Sequence, residues 1–313
     1  MFGIKTRLLE LWNKYQVDHC PQRVIDRKWL KSYGYKIDWN HPKDLNEKIQ
    51  WLICFGDTSK WPDLTDKVKV RDYVSQKGYA DILTRLYSVW DDARKINFED
   101  LPEKFVLKCN HDSGSCHIID KSNLINKKEI VNELNNRLKI KYGYKFCEPH
   151  YNRIVPRILA EEFLEMPKGY FSSSLVDYKI WCFDGKPYSV WVYYNRTKEC
   201  CYKTTYDLDW NAHPEQSIFT NHYRDGKGLV PKPESLDKML EIASSLSEGF
   251  PEVRVDLYYV GGKIYFGEMT FTNGNGMEPI NPENYDLLLG ELWKNFESNR
   301  NNKKDKLILS DEI

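Results

Sequence analysis

One segment constrains the fold more than any other: Val253-Arg254-Val255-Asp256-Leu257-Tyr258, then Gly261-Gly262, then Ile264 through Glu268-Met269-Thr270. Two strand-like runs on either side of a Gly-Gly dipeptide predict a β-hairpin. Val253, Val255 and Leu257 alternate with Arg254, Asp256 and Tyr258, so one face is apolar and the other carries charge. On the partner strand Glu268 and Thr270 share a face. Two carboxylates on adjacent strands with an arginine beside them can hold a hard cation such as Mg²⁺ against phosphate oxygens. Register decides whether they meet. A strict two-residue loop pairs Val260 with Lys263 and sends Asp256 and Glu268 to opposite faces. A longer loop or a bulge sets Asp256 opposite Glu268 and Arg254 opposite Thr270. The metal reading requires that odd register; the alternative is a half-exposed hairpin with solvated charges.

A second segment, Phe105-Val106-Leu107-Lys108, runs through Asn110 and His111 into the small polar loop Ser113-Gly114-Ser115 before Ile118-Ile119 resumes. This reads as a hairpin suited to a polyphosphate: the lysine is a point charge, and backbone N–H groups near Gly114 can approach the oxygens. Cys109, His111, Cys116 and His117 are potential zinc ligands. Their spacing matches no common zinc pattern, and neighbours at 116 and 117 point to opposite strand faces. Ile154 to Leu164 reads as a strand carrying Glu161 and Glu162. Asp177 to Lys186 reads as a hairpin with Lys179 on its polar face and Asp184-Gly185 at the turn. A helix starting at Thr65 puts Lys67 and Arg71 on one face. Taken singly, each of these also suits an ordinary strand end or surface helix.

Several chemistries are excluded. There is no G-x-S-x-G elbow, and Cys200-Cys201 has no histidine nearby to activate it. Without a Walker A or G-x-G-x-x-G motif, a bound nucleotide is not held by a P-loop or a Rossmann turn. Asp207-Leu208-Asp209 lies in a polar stretch with no strand pattern, which ranks a nucleotide-sugar glycosyltransferase low. The 46 basic and 46 acidic side chains cancel, giving no electrostatic footprint for nucleic acid. No run approaches the roughly 20 apolar residues of a membrane span. The start of the chain lacks an apolar signal core, and the scattered cysteines suit free thiols in a reducing cytoplasm. Further helices are expected at 45–52, 126–139, 236–246 and 285–296. The polar, aromatic stretch 195–233 reads as a substrate-specific insertion.

The order of these segments is more specific than any one of them. "DLNEKIQWL" (44–52), "TDKVKVRDYV" (65–74), "LPEKFVLKCNHDSG" (101–114), "ILAEEFL" (158–164), "DYKIWCFDGK" (177–186) and "VRVDLYYVGGKIYFGEMTFTNGNG" (253–276) together resemble the ATP-grasp superfamily. The closest resemblance is to its TupA-like branch, associated with teichuronopeptide, capsule and other surface-polysaccharide biosynthesis. The resemblance spans about residues 40 to 298. It implies an α+β, ATP-grasp-like fold with a helical N-terminal region (1–85), a small α/β lid subdomain with the phosphate loop (86–169) and a larger, mainly antiparallel core (170–298). A flexible tail (299–313) completes this expected organisation.

It also implies the cofactors ATP and Mg²⁺ and a set of site residues. Lys67 and Arg71 touch the ATP phosphates, Lys108 meets phosphates or adenine, and Ser113, Gly114 and Ser115 close over the β- and γ-phosphates. The segment Glu161, Glu162, Phe163 and Leu164 reads the adenine edge and ribose. Lys179 adds a phosphate contact, Asp256 and Glu268 hold the metal with Thr270, and Arg254 stabilises the developing oxyanion. Thr270 stands where the superfamily usually has asparagine, and the loop has one glycine where many relatives have several. The implied reaction is carboxylate–amine ligation through an acyl phosphate on small-molecule or glycan-precursor substrates. A grasp-type kinase acting on a sugar and a non-catalytic nucleotide- or glycan-binding module are the competing readings.

Overall fold

The hairpin turn is a strict two-residue one: one strand ends at Val260 and the next begins at Lys263. Gly261 and Gly262 take φ of 58° and 80°, a left-handed pair that matches strand twist and that glycine adopts without strain. The register changes further along. Ile264 and Phe266 are buried, then Met269 and Phe271, so Gly267 and Glu268 together fill an interval that normally holds one residue. This slip is the signature of a bulge, and it turns Glu268 and Thr270 away from the buried positions.

The structure, a computed structural model, describes residues 2–277, 285–294 and 296. The expected flexible tail, 299–313, lies outside the described residues. In chain order the helices are α1 (Phe2–His19), α2 (Pro21–Tyr33), α3 (Leu45–Phe55), α4 (Trp61–Thr65), α5 (Val70–Gln76), α6 (Lys127–Leu138), α7 (Gly143–Phe146), α8 (Pro149–Asn152), α9 (Leu236–Ser247) and α10 (Tyr285–Leu292). The strands are β1 (Leu86–Trp90), β2 (Lys104–Cys109), β3 (His117–Asp120), β4 (Ile158–Glu162), β5 (Asp177–Phe183), β6 (Lys186–Tyr194), β7 (Cys201–Tyr206), β8 (Tyr223–Asp225), β9 (Glu252–Val260) and β10 (Lys263–Thr270). This is the α+β mixture expected. Among the described residues no helix is long and apolar enough to cross a membrane.

The chain divides into two compact units. One comprises Met1–Ile37, Leu52–Gly169 and Lys263–Glu268; the other comprises Asp38–Trp51, Tyr170–Gly262 and Met269–Ile313. The first contains an antiparallel sheet of order β1-β4-β2-β3. One face of it is a core in which Phe105, Leu107, Ile119, Ile158 and Ala160 meet Leu134 of α6. Burying a leucine fully, as at Leu134, contributes about 2 kcal/mol. α6 starts where Asn126 accepts the Glu129 N–H (3.2 Å) and donates to the Glu129 carboxylate (3.0 Å), a reciprocal cap worth about 1 kcal/mol. The opposite sheet face carries Lys108 and Glu161.

The helix expected from Thr65 onward is broken. α4 ends at Thr65 and α5 begins at Val70. The Asp66 carboxylate accepts the N–H groups of Val68 (2.8 Å) and Lys69 (3.3 Å), and this local turn competes with helix continuation. Lys67 therefore sits in a turn and Arg71 in a helix, so the two do not share a helical face.

A second sheet has the order β10-β9-β5-β6-β7-β8, and its strands β5 to β9 belong to the second unit. β7 and β8 run parallel; β5 pairs antiparallel with β6 and β9, and β6 with β7. α9 packs Met239, Ile242, Ala243 and Leu246 onto the β5-β6-β9 face. The stretch 195–233 contains two strands, β7 and β8, which extend the sheet instead of looping out of it.

Candidate functional site

In the second unit, the sheet face opposite α9 gathers the charged residues of β5 and β9. Lys179 and Asp256 are direct cross-strand partners. The Arg254 guanidinium grips Asp256 with two bonds, Nε to Oδ1 (2.7 Å) and Nη2 to Oδ2 (2.8 Å), a bidentate fork. Lys179 donates to Asp256 Oδ2 as well, and its ammonium lies 2.7 Å from Asp177. Arg254 also donates to the Asn273 side-chain oxygen and, at 3.1 Å, to the Thr270 hydroxyl. The last contact puts Arg254 and Thr270 on one face, as the odd register requires.

Burial controls the electrostatics here. Asp256 is 1% exposed. That burial alone would raise its pKa, but Arg254 and then Lys179 outweigh it and hold the carboxyl below its ordinary value. Asp177 moves the other way: burial raises it, and Lys179 offsets this only in part. Glu252, two residues before Arg254 and 1% exposed, is raised well above the usual carboxylate range by burial.

In the first unit, the Lys67 ammonium donates to the Asp112 carbonyl at 2.6 Å. Burial lowers its pKa, with Glu268 the largest opposing influence and Lys108 adding repulsion. Lys108 is ion-paired with Glu161, whose other oxygen accepts from the Thr84 hydroxyl at 3.1 Å. Arg71 donates to the Thr84 backbone and side chain, and Thr84 in turn donates to Glu161, whose charge also acts on Arg71 against the lowering effect of burial. Glu162 takes its carboxylate to the Arg85 N–H (3.1 Å), and its own N–H donates to the Arg85 carbonyl. The backbone of Glu161 and Glu162 is thus part of the sheet, and Phe163 and Leu164 follow the strand end.

The small loop is internally fastened. The Ser115 hydroxyl donates to Asp112 (2.5 Å) and accepts from the Cys109 N–H (2.8 Å), while Ser113 and Gly114 are exposed, the latter at φ 86°. Arg137 of α6 pairs with Asp112 at 3.3 Å and donates to the carbonyls of Ser113 (3.4 Å) and Gly114 (3.2 Å). The loop N–H groups of Ser113 and Gly114 are thereby presented by a braced backbone. His111 donates Nε2 to the Ile140 carbonyl (3.1 Å) and Cys109 lies in the apolar core, so both are committed structurally.

Metal chemistry fits the residues present. Asp256, Glu268, Thr270 and Asn273 offer only hard oxygen donors, the set Mg²⁺ prefers. Among the described residues no three His, Cys, Asp or Glu side chains converge as a ready-made metal cage. Sequence reasoning missed Asp177, Asn273 and Arg137. The first two had a signal: Asp177 alternates with Lys179, and Asn273 lies three residues beyond Thr270. Arg137 had none, because it reaches the loop only through the packing of α6.

The sequence model of the family described as TupA-like ATP-grasp matches residues 47–294. Among solved structures the chain is similar to a D-alanine–D-alanine ligase from Bacillus anthracis, at 12% identity and TM-score 0.47 over 94% of this chain and 79% of that one. It is also similar to the ATP-grasp ligase PsnB complexed with a precursor peptide and AMPPNP, at 9% identity and TM-score 0.40 over 91% of this chain and 72% of that one. No curated protein matches.

Proposed function

Because the chain belongs to the TupA-like ATP-grasp family, we propose that it is a Mg-ATP-dependent ligase that joins a carboxylate to an amine. The carboxylate belongs to a uronic acid or glycan precursor, the amine to an amino acid or similar donor, and the amide serves surface-polysaccharide biosynthesis in the cytoplasm. The substrate carboxylate attacks the γ-phosphoryl group of ATP, releasing ADP and leaving an acyl phosphate. The amine then attacks the acyl carbon, the tetrahedral intermediate collapses, and phosphate departs. The protein contributes positioning and charge neutralisation more than covalent chemistry.

The observation that carries this reading is the Arg254–Asp256–Lys179 cluster with Thr270 and Asn273 beside it. Asp256, Glu268, Thr270 and Asn273 would supply oxygens for Mg²⁺, which when bound would neutralise charge on the transferring phosphates. Arg254 orients Asp256 through its two-bond grip, and Lys179 offers an ammonium to the phosphoryl oxygens. Lys67, Lys108 and the N–H groups of Ser113 and Gly114 receive the polyphosphate. Phe163 and Leu164, just past the strand, present backbone to adenine.

ADP release with Mg-ATP, a panel of uronic acids and a panel of amino acids tests the reading. We expect ADP and free phosphate only when both substrates are present. Hydroxylamine in place of the amine traps the acyl phosphate as a hydroxamate. Phosphate retained on the acceptor as a stable ester identifies a kinase and overturns ligation.

A further inference from the structure

The first two helices carry a surface that the candidate site does not use. Among the described side chains of α1 only Gln16 and Val17 are buried, and every one from Leu8 to Tyr15 is exposed. Leu8, Leu11, Trp12 and Tyr15 recur at i, i+3, i+4 and i+7, so they form one stripe along the helix. Each of the four is more than half exposed. The Trp12 and Tyr15 rings stack at 5.6 Å and 16°, which makes that end of the stripe a continuous aromatic plate. A helix that packs only near its C-terminal end is marginal in water, and an exposed apolar stripe on it marks a docking surface.

Charge decides what can cover it. In a chain that is neutral overall, α1 and α2 carry seven lysines and arginines against three carboxylates, Glu10, Asp18 and Asp26, an excess of four. Of these carboxylates, Asp18 is engaged by the Tyr144 hydroxyl at 2.7 Å. α7, which packs on α1, adds Lys145, and buried Glu148 just beyond it restores the same excess. Arg27 donates to Gln16 at 2.7 Å, one turn beyond Trp12, so the cations of α2 border the stripe. Arg23, Arg27 and Lys31 follow one another at intervals of four on α2, all exposed. Lys14 is exposed on α1 itself, 5.8 Å from the Tyr144 ring. A second copy of the chain would bring this positive excess against itself. A projecting helix is also convex, with no groove to receive the side chains of a peptide. A fluid anionic surface satisfies both conditions, because it wraps a convex apolar ridge and neutralises the flanking cations.

We propose that the α1 stripe, with the bordering cations of α2, is a peripheral docking surface for an anionic phospholipid membrane. Leu8, Leu11, Trp12 and Tyr15 enter the boundary between headgroups and acyl chains, where tryptophan and tyrosine are favoured. Arg23, Arg27 and Lys31 meet the lipid phosphates. α1 lies in the plane of the surface and does not cross it. The proposal is independent of the ligase reading.

The test is flotation of the full chain with two kinds of vesicle, phosphatidylcholine alone and phosphatidylcholine containing about one-third phosphatidylglycerol, at low and high salt. Two variants accompany the wild type: Leu8→Gln with Leu11→Gln and Trp12→Gln, which removes apolar surface without changing charge, and Arg23→Gln with Lys31→Gln. The wild type is expected to bind the anionic vesicles at least about tenfold more tightly than the neutral ones, and less tightly at high salt. The triple variant should lose about tenfold or more of that affinity, and the charge variant about fivefold or more. All five side chains are exposed, so far-ultraviolet circular dichroism and the urea midpoint should match the wild type in both variants. The charge variant leaves α1 untouched and reports even where the triple variant loses that helix. No binding by the wild type, equal binding to the two kinds of vesicle, or undiminished binding by a folded triple variant overturns the proposal. A wild-type dimer that the triple variant dissociates in sedimentation velocity, without vesicle binding, assigns the stripe to a second copy and overturns it too.

Discussion

Replacing Asp256 by asparagine removes the one negative charge that Arg254 and Lys179 share, with almost no change of shape. Asp256 is 1% exposed and Arg254 7%, so water does little to replace what is lost. Breaking a buried pair by removing one partner typically costs about 3–5 kcal/mol, because the other charge stays buried. Lys179 keeps Asp177 at 2.7 Å, and Arg254 keeps Asn273 and Thr270. We therefore expect the low end, about 3 kcal/mol. Urea unfolding at pH 7 without nucleotide, followed by tryptophan fluorescence, measures it. Lys179→Met removes one of the stranded cations, so the double variant should be less destabilised than the sum of the singles by about 1–3 kcal/mol. A pH series gives the sign. Arg254 and Lys179 hold the Asp256 carboxyl below its ordinary value despite burial. Its stabilisation is then present above the unfolded pKa of about 4 and is lost as pH falls through the folded value, a loss that Asp256→Asn should not show. A cost below about 1 kcal/mol, or strict additivity with Lys179→Met, refutes the view that this carboxylate anchors the cluster.

Two further outcomes are expected. Glu252 is buried, its oxygens have no hydrogen-bond partner among the described residues, and burial raises its carboxyl well above the usual range. Its folded form keeps a proton that the unfolded chain releases, so stability should fall by about 1.4 kcal/mol per pH unit from about pH 4 up to the folded pKa. Glu252→Gln should remove that slope, as read from melting curves between pH 4 and 8; an unchanged slope refutes the assignment. Glu161→Gln frees Lys108 from its carboxylate partner. ATP affinity measured in EDTA should then rise by about three- to tenfold, and no change would remove Lys108 from the phosphate contacts.

Local patterns told most of this fold. Alternation of period two marked β5, β6, β9 and β10, and their two-residue turns were readable from Asp184-Gly185 and Gly261-Gly262. The bulge in β10 was legible only as a chemical requirement, since nothing in Gly267-Glu268 alone demands an extra residue. β7 escaped notice because Cys201 to Tyr206 offers polar Lys203, Thr204 and Thr205 where a strand usually alternates. The sheet neighbours bury them: Thr204 and Thr205 are each 1% exposed. The broken helix near Asp66 shows the opposite failure, a single side chain overriding a good helical pattern. The implied site residues divide along the same line. Those on strands, Lys108, Lys179, Arg254 and Asp256, keep the faces that alternation gave them, Thr270 reaches its face through the bulge, and Arg71 on its helix turns to Thr84.

The equality of 46 basic and 46 acidic side chains has a local counterpart. Lys108 lies on Glu161, Lys179 on Asp177 and Asp256, and Arg254 on Asp256; Lys67 rests on the Asp112 carbonyl with Glu268 the main charge supporting it. Each cation offered to a polyphosphate is therefore already accompanied by negative charge. Pairing is what lets ammonium and guanidinium groups be buried with limited desolvation cost. It also means that an incoming anion meets a carboxylate beside each of these ion-paired cations, which offsets their attraction for it. A divalent ion held by Asp256, as proposed above, would reverse that balance there, converting a carboxylate that repels phosphate into a ligand that recruits it. The same pairing favours discrimination: a monoanion lacking the geometry to share a metal has little to displace these carboxylates with. At the proposed site, paired charges would thus make anion binding depend on the metal that unpairs them.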